Sequence, residues 1–89
     1  MQLTIDREGS VAVVTLDHPP VNALSQALRQ ALWDAVVTLD ADPEVAAVVL
    51  ICAGRTFIAG ADVAEFGRPP EPPHLPDLVA RIEDAAKPW

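Results

Sequence analysis

Chemistry is most conceivable in the stretch Gly54-Arg55-Thr56-Phe57-Ile58-Ala59-Gly60-Ala61-Asp62-Val63. It follows an apolar run and sets two alanines around a glycine, then an acidic residue, then a short segment with helical spacing. Small side chains let a ligand approach the main chain, and free amides at a helix start point positive dipole ends outward. Such a strip could hold a carbonyl oxygen as it gains negative charge. The same residues admit a plainer role, in which Gly60 turns the chain and Asp62 caps the helix; spacing alone leaves both open. The remaining candidates are weaker. Glu83 with Asp84, and Asp40 with Asp42, are not set in apolar sequence that would raise a carboxyl pKa, so they read as solvated surface charge. Neither His18 nor His74 has a Cys, Asp or Glu at helical ligand spacing, and no metal site is expected. Ser10 and Ser25 suit a turn and a helix cap, and Cys52 suits a small core position.

The elements that position this strip follow from hydrophobic spacing. Leu3 and Ile5 alternate with polar residues, Gly9-Ser10 interrupts, and Val11 to Leu16 resumes with β-branched residues, the pattern of a hairpin. Pro19-Pro20 makes Asp17 to Pro20 a loop. From Ser25 the period changes to three and four through Leu28, Leu32, Val36 and Leu39, predicting an amphipathic helix of about four turns, with Ser25 or Asn22 as its cap. Val45 to Ala53 is almost unbroken apolar sequence and reads as a central strand covered on both faces. Ala61 to Phe66 has room for one or two helical turns. Five prolines between Pro69 and Pro76 predict a stiff, extended connector, and helical spacing returns from Asp77 to Lys87. Strand, strand, helix, strand, helix is a layered α/β arrangement.

Composition narrows the classes. Eighty-nine residues, 51% hydrophobic, allow one small domain and exclude a two-domain enzyme. Thirteen acidic against six basic side chains give a net charge of -7 with no basic cluster, so nucleic acid is a poor partner. A single cysteine cannot close an internal disulfide, and the first residues lack the pattern of a secretory signal, which together favour a cytoplasmic location. The longest apolar stretch, Val45 to Gly54, is about half the ~20 residues a membrane span needs.

Asn22-Ala23-Leu24-Ser25 after a proline-containing loop, followed by Phe57-Ile58-Ala59-Gly60-Ala61-Asp62-Val63-Ala64-Glu65-Phe66, resembles the N-terminal part of the crotonase, or enoyl-CoA hydratase and isomerase, superfamily. The order of elements agrees along the whole chain. The arm from Gly67 to Pro76 and the ending Ala85-Ala86-Lys87-Pro88 are most similar to the hydratase segment of multifunctional fatty-acid oxidation proteins, where an NAD-dependent 3-hydroxyacyl-CoA dehydrogenase domain follows. The resemblance implies an α/β fold of crotonase type, here incomplete. It divides the chain into half a crotonase-like domain over 1–66, a proline-rich connector over 67–76, and a helix with a truncated end over 77–89. It further implies that the backbone amide of Ala61 supplies half an oxyanion hole for a thioester enolate. Ala59, Gly60, Ala61, Asp62 and Val63 would line the acyl-CoA channel, and Val21 and Ala23 would meet the coenzyme A nucleotide and pantetheine. The implied substrate is an acyl-CoA thioester of fatty-acid β-oxidation. No cofactor is implied for this segment, NAD entering only with a downstream dehydrogenase domain.

The sequence also departs from the family pattern. The two glutamates that activate water and the glycine amide completing the oxyanion hole lie, in the family, beyond the equivalent of Lys87-Pro88. Losing an acid or base costs roughly 10² to 10⁴-fold each and losing one oxyanion donor ~10²-fold or more, so these residues alone are expected to be catalytically silent. Half a core leaves apolar surface exposed, and a homo-oligomer is the expected relief. Arg55, Arg68 and Lys87 are open to two readings, contact with CoA phosphates or solvated surface. Two other functions stay in play: a non-catalytic module binding a protein partner, and another enolate chemistry such as double-bond isomerisation or thioester hydrolysis.

Overall fold

The computed structural model describes residues 2–89. Alternation of apolar and polar residues produces strands β1 (Gln2–Glu8) and β2 (Val11–Asp17), an antiparallel hairpin pairing Glu8 with Val11 and Gln2 with Asp17. Gly9 turns the hairpin at φ 61°, a conformation glycine takes without a Cβ clash. On β2 the period of two sends Ala12, Val14 and Leu16 to one face, where each is fully buried.

Helix α1 (Gln26–Ala41) runs a little over four turns, as its spacing predicts. Ser25 rather than Asn22 caps it, its Oγ accepting from the Leu28 amide at 3.3 Å. Leu28, Leu32 and Leu39 join Ala12, Val14 and Leu16 in a single core, so the helix covers one face of the sheet. The chain then returns as β3 (Ala47–Cys52), parallel to β2 with Ala47 opposite Val11 and Cys52 opposite Leu16. The sheet order is β1-β2-β3, and β2-α1-β3 forms a βαβ crossover. Helix α2 (Leu75–Glu83) packs on α1 and adds Leu78 to the core.

Two expectations are corrected. The apolar run over Val45 to Ala53 suggested a central strand, but among the described residues β2 is central and β3 is an edge. Val49 and Ile51, on the face away from α1, are 45% and 44% exposed. An apolar strand is suited to cover on both faces, and these residues provide a layer on only one. The proline-rich connector lies along the surface of the fold. Its carbonyls at Glu71 and Pro73 accept from the Arg29 guanidinium and that at Pro72 from Gln26, which folds it back on α1. The second helix also begins at Leu75, ahead of the expected Asp77, because Pro76 fits a first turn where no backbone donor is required.

Candidate functional site

Parallel strands end at the same edge of a sheet, so the loops after β2 and β3 leave side by side, and in open α/β sheets that edge is where ligands bind. Asn22 ties the two loops together. It is 3% exposed, sits at φ 55° in the left-handed region that asparagine tolerates, and uses both ends of its amide. Its Oδ1 accepts from the His18 amide at 2.7 Å, while its Nδ2 donates to the carbonyls of Ala53 at 3.0 Å and Thr56 at 2.7 Å.

Two residues later the loops pair through a single parallel bridge between Leu24 and Ala61. The Leu24 amide donates to the Gly60 carbonyl at 2.7 Å, and the Asp62 amide donates to the Leu24 carbonyl at 3.3 Å. In a parallel ladder the residue bracketed in this way turns its own N–H and C=O away from its partner. Among the described residues the Ala61 amide donates to no acceptor, and Ala61 is exposed.

A groove of about 330 Å³ opens at this place, lined by His18, Pro19, Pro20, Val21, Ala23, Ala59, Ala61, Asp62 and Val63. Six of the residues singled out in the sequence thus share one wall: Val21, Ala23, Ala59, Ala61, Asp62 and Val63. Gly60 does not line it. At φ 127° its carbonyl is turned into the bridge with Leu24, which shapes the strip from behind. Asp62 takes the plainer role as well, its Oδ1 accepting from the Ala64 amide at 2.9 Å to cap a single 3₁₀ turn, Val63–Glu65, shorter than the helical segment expected there. Turning, capping and presentation of a free amide coexist in the same residues.

The strip is anchored on its far side by Glu65. One oxygen accepts from the Gln26 amide at 2.7 Å and the other from Arg29 at 3.2 Å. The hydrogen bond from Gln26 holds the Glu65 carboxyl below its ordinary value, burial opposing and the Arg29 guanidinium assisting. Arg29 is 6% exposed and is satisfied by the Leu24 carbonyl at 2.9 Å in addition to the arm carbonyls and Glu65. Cys52 packs beside the core as a free thiol whose pKa burial pushes up, with the Ile58 amide opposing.

The other charged residues lie elsewhere. Asp40 is not a solvated charge: burial raises its pKa, but the Ala86 amide and the Arg81 guanidinium outweigh that and hold the carboxyl below the ordinary range. Lys87 does not line the groove: its Nζ donates to the carbonyls of Leu39, at 3.0 Å, and Asp42 and closes the end of α1. Arg55 and Arg68 are exposed. Among the described residues no three His, Cys, Asp or Glu side chains converge as a metal site requires.

Asn22, His18, Arg29 and Glu65 were not assigned these positions from the sequence. Arg29 left one signal, a charge in the apolar stripe between Leu28 and Leu32, while the partners of Asn22 lie more than thirty residues away and leave none.

Known proteins resemble this chain in sequence and in fold. The profile of the enoyl-CoA hydratase/isomerase family matches residues 6–75. A peroxisomal bifunctional enzyme of Danio rerio is 44% identical over 79 residues, covering 89% of this chain and 11% of that protein. A short-chain-enoyl-CoA hydratase of Clostridium acetobutylicum is 40% identical over 64 residues, 70% of this chain and 24% of that one. The crystal structure of an enoyl-CoA hydratase from Mycobacterium marinum superimposes with a TM-score of 0.84 at 33% identity, over 99% of this chain and 46% of its own. The chain therefore spans less than half the length of each. With its fold, the match over residues 6–75 and these identities in agreement, the chain belongs to the enoyl-CoA hydratase/isomerase family.

Proposed function

We propose that this chain is the N-terminal segment of an acyl-CoA hydratase acting on trans-2-enoyl thioesters, and that the Ala61 amide is one of two donors to the thioester oxygen. The observation that carries this reading is the uncommitted N–H of Ala61 at the wall of the groove, bracketed by the two hydrogen bonds of Leu24. Hydration of an enoyl thioester builds negative charge on that oxygen as water adds to the double bond, and a fixed backbone donor stabilises the enolate more than the ground-state carbonyl. Val21, Ala23, Ala59 and Val63 give the groove an apolar lining suited to the acyl and carrier parts of a thioester. A bare interaction module gives no reason for an open amide in such a place.

Among the described residues the only carboxylate lining the groove is Asp62, and one of its oxygens is engaged as a cap. The acid and base for water addition, and the second oxyanion donor, must come from outside these residues, so the chain by itself binds without turning over. Isomerisation passes through the same enolate and calls on the same Ala61 donor; the name of the Clostridium acetobutylicum relative supports hydration. A homo-oligomer belongs to this reading, supported by the uncovered Val49 and Ile51, and so does a reducing compartment such as the cytoplasm, supported by the free Cys52.

The test is an amide NMR titration of the 89-residue chain with crotonyl-CoA, alongside an absorbance assay for hydration. The expected result is a large shift of the Ala61 amide, smaller shifts at Ala23, Gly60 and Asp62, and no hydration above background. An Ala61 resonance that stays still while crotonyl-CoA is raised to millimolar concentration would overturn the assignment of the strip.

A further inference from the structure

One group in the groove has no part in holding the thioester oxygen. His18 lines it beside Ala61, is half-buried, and is fixed at two points: its backbone amide donates to Asn22 Oδ1 at 2.7 Å, and its ring Nδ1 lies 2.9 Å from the Ala23 carbonyl. A carbonyl only accepts, so Nδ1 must carry the proton, and in the neutral ring Nε2 then holds the lone pair. Among the described residues Nε2 has no partner. Prolines, alanines and valines make up the rest of the lining apart from Asp62. The groove thus contains a second, tautomer-locked polar group of opposite character to the Ala61 amide. One donates and the other accepts.

We propose that His18 is a specificity-determining residue whose Nε2 accepts a hydrogen bond from an N–H of the amide-bearing arm that carries the thioester. This rests on the reading of the groove as a thioester site. A thioester held by its carbonyl at Ala61 must lead its carrier arm along the lining, and an arm built of peptide-like amides brings N–H groups that need an acceptor there. A simple alkyl thioester has no such group and gains nothing from His18. The ring therefore selects for the carrier, not for the acyl chain.

The variant His18→Asn separates anchor from acceptor, because its side-chain Nδ2 takes the place of Nδ1 against the Ala23 carbonyl while the acceptor at the Nε2 position is lost. By NMR titration at pH 8, His18→Asn should weaken binding of crotonyl-CoA about 3 to 10-fold, the size of one neutral hydrogen bond, and leave that of S-ethyl thiocrotonate unchanged. In the unsubstituted chain the ring ¹⁵N spectrum should show protonated Nδ1 and bare Nε2, with Nε2 moving when crotonyl-CoA is added but not with the ethyl thioester. That measurement needs no variant to fold. Equal affinity of both proteins for crotonyl-CoA, or a free chain with the proton on Nε2, would overturn the role of His18 while leaving Ala61 intact. An Ala61 amide that ignores crotonyl-CoA would remove both.

Discussion

Asn22 shows how much one side chain decides here. Its three hydrogen bonds reach the end of β2, the end of β3 and the loop beyond, and each satisfies a partly buried backbone group. Replacing it by alanine leaves the Ala53 and Thr56 carbonyls without that donor and puts a Cβ-bearing apolar residue at φ 55°. Asn22→Ala should cost about 3 kcal/mol in urea denaturation, and Asn22→Gly about 1 kcal/mol less, because glycine takes a positive φ freely. A loss below about 1 kcal/mol for the alanine variant would mean that the loops keep their places without it. From the sequence Asn22 is legible only as a rival helix cap, since a short-range pattern cannot register bonds to Ala53 and Thr56.

At the scale of elements, what holds the strip against α1 is electrostatic. Glu65 ties the 3₁₀ turn to the first turn of α1 through the Gln26 amide and to its second through Arg29, and Arg29 carries the proline arm. The Glu65 pKa is lower in the folded chain than its ordinary 4.5, so the folded state binds this proton less readily than the unfolded one. Its stabilisation is complete above that ordinary value and is lost as pH falls through the lower folded value. Asp40, lowered from 3.8, acts in the same direction at the other end of α1. Urea midpoints should hold steady from neutral pH down to about pH 5 and fall below it, and Glu65→Gln should be less stable at neutral pH with a flatter acid profile. An unchanged profile in Glu65→Gln would show the ion pair to be a bystander. The helix and hairpin periods were readable in advance; this clamp was not, because a Glu and an Arg separated by a loop and a helix turn look like two surface charges.

For the whole molecule the unfinished feature is the sheet. One face is covered by α1, while on the other Val49 and Ile51 stand beside Val13 and Thr15, with no layer over them among the described residues. An edge strand without a charge or proline, as Ala47–Cys52 is, invites another chain to cover or pair with it. Sedimentation of the purified chain should show reversible self-association at high concentration, and Val49→Lys with Ile51→Lys should shift it to monomer without changing the amide spectrum of the groove. A monodisperse monomer of the unsubstituted chain, unfolding in one sharp transition, would contradict this.

By itself the sequence determined the period of each element, the order of the layers and the short glycine-centred strip, because these depend on neighbours within a few positions along the chain. It also carried the family resemblance, for the same reason: the motif is contiguous. Only the tertiary structure decided that, among the described residues, the Ala61 amide is left open, His18 shares its groove, Lys87 closes a helix and β3 is an edge. Each of those is set by a partner far away in sequence, through hydrogen bonds and burial that exist only once parallel β2 and β3 bring their loops together.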